Sequence, residues 1–215
     1  MDQPSTARAL WLLGHDDQWL RPRTHGVRVA VGAGALLDVL RSGAARWDPD
    51  DRTRLLVTSA ARDPDPLVRT WADRLTTANA DHSVRVIHAI GALGAQVYDE
   101  VGADLVERGL AQPVPRPVRR WLAPRRRPDP HAVRPLREHL REVVLRDAPY
   151  EDGDAAVISV AWYAGVAEQV LSASAFADPD VVDGARRIAE EANLGPRLED
   201  DLASLTRIGL TDGAM

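Results

Sequence analysis

The longest apolar run in the chain extends from Ala155 to Ala167 and is interrupted at Glu168. A helix needs about 20 apolar residues to cross the hydrocarbon core of a membrane. A shorter run with almost no polar face is typical of a helix that is buried on all sides. The sequence therefore predicts a helix over 155–171 at the centre of the fold, with other helices packed around it.

Apolar periodicity and capping residues predict the surrounding elements. Aspartate caps helices and proline fits their first turn, so two Asp-Pro pairs mark helix starts, at Asp65 and Asp129. Gly43 and Gly109 mark helix ends. Besides 155–171, the predicted helices are 6–13, 27–40, one from 65, 83–90, 96–108, one from 129, 180–192 and 196–208. Strands at 45–47 and 54–58 form one hairpin, and 111–128 forms an irregular second one. The predicted fold is mainly α, with amphipathic helices around a central hydrophobic helix, one or two short β-hairpins, and a single domain over 1–215.

Composition excludes several kinds of chemistry. The chain has no cysteine, and all 27 basic residues are arginine. Disulfides, thiolate metal sites, cysteine nucleophiles, phosphate-loop lysines and Schiff-base lysines are therefore impossible. No two histidines stand four residues apart, the spacing that puts two metal ligands on one helix face. We expect no cofactor, no metal and no catalytic residue. Arginine in place of lysine, with abundant alanine, indicates a GC-rich and hence bacterial genome.

Two short motifs have a structural and a catalytic interpretation. Gly32-Ala-Gly34 begins like a dinucleotide fingerprint, but it lies inside a predicted helix and the third glycine is replaced by Leu37. Small residues for close helix packing are the favoured interpretation. Asp178 and Asp180 have the spacing of a phosphotransferase motif, yet Pro179 between them makes a capped helix start the favoured interpretation.

The feature that most suggests a function is a basic segment in an acidic protein. The net charge is −5, but residues 116–127 contain no acid and six arginines: Arg116, Arg119, Arg120, Arg125, Arg126 and Arg127. Trp121 and Leu122 lie among them. Such a hairpin can lie on anionic lipid with its apolar side chains inserted. It can also contact nucleic-acid phosphates, or pair with acidic side chains of its own or a neighbouring subunit.

The order of several segments resembles the Golgi phosphoprotein 3 family. The matching segments are Ala7 to Leu13 with the acidic turn Gly14-His-Asp-Asp17, Ala33 to Gly43, Asp65 to Val68, Leu105-Val-Glu-Arg-Gly-Leu110, Pro135 to Leu145, and 155–171. The resemblance implies a mainly helical protein with a protruding β-hairpin. It implies a peripheral membrane protein and not an enzyme. Eukaryotic members bind phosphatidylinositol 4-phosphate on Golgi membranes and adapt glycosyltransferase tails to transport vesicles.

The family's headgroup site transfers to this sequence only in part. It uses a Trp before the second helix, an Arg early in that helix, and two basic residues three apart before the Leu-Val-Glu segment. By resemblance, Trp19 is the candidate Trp. The early-helix position falls on Gly32, or on Arg28 if the turn is shifted, and the basic pair falls on Ala95 and Tyr98. The resemblance thus implies anionic-lipid binding without strong phosphoinositide preference. The predicted lipid-binding residues are Trp19, Arg21, Arg23, Arg28, Arg119, Arg120, Trp121, Leu122, Arg125, Arg126 and Arg127.

The start of the chain, Met-Asp-Gln-Pro, lacks the basic region of a secretion signal, so we expect a cytoplasmic protein at the inner face of a membrane. A client protein and a second copy, bound through hairpin 111–128, are further candidate partners. Two alternative functions stay open. The first is a winged-helix-like nucleic-acid regulator, suggested because a helix followed by a hairpin occurs twice, although net charge disfavours nucleic acid. The second is a pathway accessory protein that binds no ligand.

Overall fold

The computed structural model describes residues 4–15, 24–58, 65–77, 83–114, 126–146, 149–172, 178–192, 194 and 198–205. Its helices are α1 (Thr6–Leu13), α2 (Thr24–Arg41), α3 (Pro66–Thr77), α4 (Val86–Glu107), α5 (Pro130–Arg146), α6 (Asp152–Tyr163), α7 (Ala167–Leu171) and α8 (Pro179–Ala192). Residues 198–205 are also helical. The strands are β1 (Ala45–Trp47), β2 (Arg54–Val57), β3 (Ser83–Arg85), β4 (Ala111–Pro113) and β5 (Arg126–Pro128). The antiparallel sheets β1-β2-β3 and β4-β5 are small, so the mainly α class is confirmed.

The most enclosed element is α1, in which every residue is buried. It packs against α2, α4, α5, α6 and α7. Its apolar side chains include Leu10, Trp11 and Leu13, each at most 1% exposed. Burial of large apolar side chains is the main favourable term in folding, at about 1.5–3 kcal/mol each. This short helix is therefore the centre of the core.

Both ends of α1 are capped by side chains from other helices. At its start, the buried carboxylate of Asp38 on α2 accepts the backbone N–H groups of Thr6 and Ala7, at 3.0 and 3.1 Å. At its end, the carbonyl of Gly14 accepts a hydrogen bond from the side-chain amide of Gln169 at 2.5 Å. The buried guanidinium of Arg137 on α5 donates to the carbonyls of Leu13 and His15. Helix ends leave backbone groups unsatisfied, and burial would make that costly, so these side chains are part of the core.

One charged side chain lies inside this core. Arg8 on α1 is 6% exposed and contacts the carboxylates of Asp65 and Asp104, the second at 2.7 Å. Burial lowers the pKa of Arg8, but the hydrogen bonds that it donates to the two carboxylates, together with their negative charge, outweigh burial and leave that pKa raised. The guanidinium therefore stays charged and ties α1 to the start of α3 and to α4.

Glycines allow α2 to approach two neighbouring helices closely. A Cβ atom at Gly32 would lie 3.0 Å from the Cα of Gly94 on α4, and one at Gly34 would lie 3.0 Å from the Cα of Ala7 on α1. These distances are shorter than most real Cβ contacts, so larger residues would push the helices apart by a few tenths of an ångström. The packing interpretation of Gly32-Ala-Gly34 is therefore confirmed.

The predicted capping signals are confirmed at three Asp-Pro pairs. The carboxylates of Asp65, Asp129 and Asp178 each accept the backbone N–H two residues later, at 2.9, 2.9 and 3.3 Å. Asp178 also pairs with Arg141. Its carboxylate is therefore engaged in capping and pairing, in line with the structural interpretation of the Asp178–Asp180 motif. Gly109 ends α4 with φ +73°.

The prediction of a helix over 83–90 and a second over 96–108 is wrong. Residues Ser83–Arg85 form β3, which pairs with β2 in the register Leu55↔Val84. A single helix, α4, then continues from Val86 through Gly91 and Gly94 to Glu107. Residues 83–85 are a strand and not a helix because they pair with β2. Close packing of Gly94 on α2 allows the helix to pass through residues of low helix propensity.

The prediction of one helix over 155–171 is also wrong. Gly165 has φ +65° and ends α6, and α7 begins two residues later. The N–H of Gly165 donates to the carbonyl of Trp162 at 2.9 Å, and that of Val166 donates to the carbonyl of Ala161 at 2.9 Å. This pair of bonds is the Schellman pattern of a helix end. The apolar run is buried as predicted, but in two helices.

A hydrogen-bonded aromatic group connects α1 to α4. The indole N–H of Trp11 donates to the carbonyl of Tyr98 at 3.0 Å. His15 Nδ1 donates to the carbonyl of Trp11 at 2.7 Å, which leaves Nε2 to accept the hydroxyl of Tyr98 at 3.0 Å. This assignment requires neutral His15, and burial lowers the pKa of His15 to about 4.

Replacing Asp38 tests the cap on α1. Asp38→Ala leaves two buried N–H groups without an acceptor, so we expect the free energy of unfolding to fall by about 2–4 kcal/mol in urea titrations. Asp38→Asn keeps one acceptor oxygen and should lose less. Asp73→Ala, on the exposed face of α3, is the control and should change stability by about 0.5 kcal/mol or less. Equal losses in the Asp38 and Asp73 alanine variants would contradict the assigned role.

The neutral state of His15 predicts a pH dependence of stability. The unfolded chain takes up a proton near pH 6.5 and the folded one only near pH 4, so stability falls as the pH drops through this window. The shift corresponds to roughly 3 kcal/mol. We expect the stability difference between the parent and His15→Gln to shrink by about that amount between pH 7.5 and pH 4. His131→Gln, at an exposed histidine, is the control. A parent–His15→Gln difference that stays constant across this range would show that His15 is not held neutral.

Candidate functional site

Three of the predicted lipid-binding residues lie in the described part of the chain: Arg28, Arg126 and Arg127. The others lie outside the described residues: Trp19, Arg21, Arg23, Arg119, Arg120, Trp121, Leu122 and Arg125. Of the hairpin 111–128, the structure describes both ends, where β4 and β5 pair in the register Gln112↔Arg127 and Pro113↔Arg126. The predicted hairpin is thus confirmed at its base.

Arg28 is brought to α4 by the close approach of α2 at Gly32. One turn before this glycine, the exposed guanidinium of Arg28 lies over the ring of Tyr98, with its central carbon 5.6 Å from the ring centroid. This is within the range of a cation–π contact. The tyrosine therefore positions a cationic side chain that is still open to solvent.

The side chain of Tyr98 is buried and held in place by a hydrogen bond. Its side chain is 9% exposed, and its hydroxyl is directed inward to His15. Burial raises the pKa of Tyr98; the carboxylate of Asp99 also raises it, whereas Arg28 and Arg126 lower it. The ring thus stays neutral, and its hydroxyl is already engaged. The ring contributes to the surface by positioning the cationic side chains next to it.

Arg126 reaches the same part of α4 from the base of the hairpin. Its guanidinium donates to the backbone carbonyl of Asp99 at 3.1 Å and lies 3.6 Å from the Asp99 carboxylate. Neighbouring residues of a strand point to opposite faces, so Arg127 points the other way and is exposed. We call Arg28, Tyr98, Asp99 and Arg126 the Tyr98 cluster. It joins α2, α4 and β5 at one place.

The Tyr98 cluster was not predicted as a unit. The sequence suggested Arg28 and Arg126 separately, and noted Tyr98 only as a replacement for a basic residue. Asp99 was not singled out. The signal that unites them is the Gly32–Gly94 contact, which has no counterpart in local sequence pattern because it depends on how two helices pair.

By resemblance, the early-helix headgroup position falls on Gly32, or on Arg28 if the turn is shifted, and the basic pair falls on Ala95 and Tyr98. A side chain at Gly32 would be crowded, because its Cβ would lie 3.0 Å from the Cα of Gly94 and 3.3 Å from the carbonyl oxygen of Ile90. Cationic groups come to this region from other positions, namely Arg28 one turn earlier on α2 and Arg126 on β5. None of Gly32, Ala95 and Tyr98 offers a basic side chain.

A cleft of about 590 Å³ at the starts of α1 and α6 is lined by several acidic side chains. Its carboxylates already have structural roles. Asp38 caps α1, Asp65 pairs with Arg8 and caps α3, and Glu151 takes part in a capping box at the start of α6. The cleft is thus accounted for by helix capping.

Two kinds of feature are absent from the described residues. Within them, no helix combines the length and apolar character needed to traverse a bilayer. The same residues contain no group of three side chains suited to binding a metal ion.

Comparison with known families gives one match. The family model of Golgi phosphoprotein 3 (GPP34) matches residues 7–204. No curated protein matches the sequence. The matched region spans nearly the whole chain and includes both α1, with its two caps, and the Tyr98 cluster. The chain belongs to the Golgi phosphoprotein 3 family.

Proposed function

We propose that this protein is a non-catalytic peripheral membrane protein that binds anionic lipid headgroups and serves as an adaptor for a client protein. The observation that carries the proposal is the Tyr98 cluster. Two arginines from separate elements, Arg28 and Arg126, come to one tyrosine at the base of an arginine-rich hairpin. Family membership supports it, because the resemblance implies peripheral membrane adaptors.

The distribution of charge favours lipid binding by a cationic surface over binding in a single deep pocket. Arg28 and Arg127 are exposed, and neither forms an ion pair with another described residue. Each cationic side chain near an anionic membrane contributes about 1 kcal/mol of binding, and the effect falls off within a Debye length. Several such arginines on α2 and the hairpin together give useful affinity without a dedicated headgroup pocket.

Binding to vesicles of defined composition tests the proposal. Vesicles of phosphatidylcholine alone, with phosphatidylglycerol, or with phosphatidylinositol 4-phosphate at equal total charge are compared by co-sedimentation. We expect binding that follows charge, falls with salt, and differs little between the two anionic lipids, because Gly32 and Tyr98 occupy family headgroup positions. Duplex DNA of equal charge is the parallel ligand and should bind more weakly.

Two outcomes would contradict this proposal. Salt-resistant binding to phosphatidylinositol 4-phosphate alone would show that a specific headgroup site exists. Absence of binding to every anionic vesicle at low salt, or preference for DNA, would reject membrane attachment altogether.

The hairpin should contribute the largest electrostatic share. Replacing Arg125, Arg126 and Arg127 by Ser removes about 3 kcal/mol of surface attraction, so vesicle binding should weaken about a hundredfold at low salt. A control that removes Arg69, Arg146 and Arg186, exposed arginines on α3, α5 and α8, changes net charge equally and should weaken binding much less. Equal effects of the two triple variants would make the hairpin an inert loop.

We also propose that the hairpin contacts a second copy of the chain through the acidic segment 190–201. Trp121→Ala should then reduce association in gel filtration while the circular dichroism spectrum stays that of the parent. An elution volume unchanged from the parent's would reject self-association through this element.

A further inference from the structure

The Tyr98 cluster contains one acid, and that acid holds one of its two arginines. The carboxylate of Asp99 lies 3.6 Å from the guanidinium of Arg126, which also donates to the Asp99 carbonyl at 3.1 Å. The Asp99 side chain is 56% exposed and that of Arg126 is 27% exposed. The carboxylate of Asp99 is near enough to Tyr98, the ring under Arg28, to raise the pKa of the Tyr98 hydroxyl.

This pair has the properties of a contact that a ligand can displace. Ion pairs between exposed side chains contribute little net stability, because solvent and salt screen them. The geometry is also loose, since the carboxylate contact is longer than a normal hydrogen bond. A dense layer of lipid phosphates can therefore take Arg126 from Asp99, whereas a sparse layer cannot.

We propose that Asp99 is an internal competitor of the lipid: it holds Arg126 against α4 and sets the minimum density of negative charge that a membrane must have before the protein binds. This inference rests on the proposed function. Arg28, which has no acidic partner among the described residues, makes the first contact with the surface. Arg126 then moves from the carboxylate to a lipid phosphate, and Asp99 is left facing solvent.

The competing carboxylate has two effects on binding that add to each other. It occupies Arg126 in the free protein, and it repels phosphates that approach Arg28. Both effects weaken with its charge, so an isosteric amide at position 99 should lower the threshold while the backbone contact of Arg126 to residue 99 is kept. The fold does not depend on this side chain, because it is exposed on α4.

The test compares Asp99→Asn with Glu107→Gln on vesicles whose phosphatidylglycerol fraction is varied. Glu107 is exposed on the same helix, two turns further on, so both variants change net charge equally. We expect Asp99→Asn to bind about fivefold more tightly and to reach half-saturation at a lower phosphatidylglycerol fraction. In about 0.1 M salt, Glu107→Gln should change affinity less than about twofold, because eight helical residues place it about 12 Å from Asp99, beyond the Debye length of about 10 Å.

A double-mutant cycle separates the pair from a general charge effect. Arg126→Gln should weaken binding, and in Asp99→Asn/Arg126→Gln the gain from the amide should shrink to the part that comes from reduced repulsion near Arg28. A gain in the double variant as large as that of Asp99→Asn alone would overturn the proposal. Melting temperatures within a few degrees of the parent would confirm that every variant is folded.

Three outcomes distinguish the possible failures. If the parent binds no anionic vesicle at low salt, the proposed function itself is wrong. If the parent binds but Asp99→Asn and Glu107→Gln behave alike, Asp99 is not a competitor and only this inference is wrong. If inorganic phosphate competes with vesicles better than sulfate at equal ionic strength, the displacing ligand is a free phosphate and not a membrane surface.

Discussion

The fold depends on a helix that water does not reach. Because α1 is buried along its whole length, its terminal backbone groups need protein partners, and these come from elements far away in the chain: Asp38 at one end, Arg137 and Gln169 at the other. The carboxylate lies at the positive end of the helix dipole and the guanidinium at the negative end. Capping and electrostatics thus favour the same arrangement, in which α2, α5 and α7 assemble around α1.

Local signals predicted much of this architecture. An Asp-Pro pair caps a helix through its own side chain, and a glycine with positive φ ends one, so boundaries such as Asp65 and Gly109 were readable without tertiary information. One error came from a longer-range effect, since Ser83–Arg85 forms a strand because β2 offers a partner. The other missed a local signal, because Gly165 ends α6 with a positive φ as Gly109 ends α4. Arg137, placed by sequence on no particular face, is buried because carbonyls from α1 need its N–H groups.

The sequence predicted less of the candidate site than of the fold. Composition and resemblance singled out Arg28 and Arg126, but 98 residues of chain separate them, and only the pairing of α2 with α4 and of β4 with β5 brings both to Tyr98. Tyr98 itself was undervalued because it was compared with a basic residue. Its role is to fix cationic neighbours from a ring that Trp11 and His15 hold in place.

The contact between Gly32 and Gly94 restricts how this surface can change over evolutionary time. An arginine introduced at position 32 would bring its Cβ to 3.0 Å from the Cα of Gly94, and no choice of rotamer moves that atom, so α2 and α4 would have to separate by a few tenths of an ångström. That displacement would also reach Asp38 at the far end of the same helix and, through it, the start of α1. A basic side chain at position 32 therefore carries a packing cost. New affinities are more accessible through the exposed turn at Arg28 and through the hairpin, where side chains can be exchanged without moving a helix.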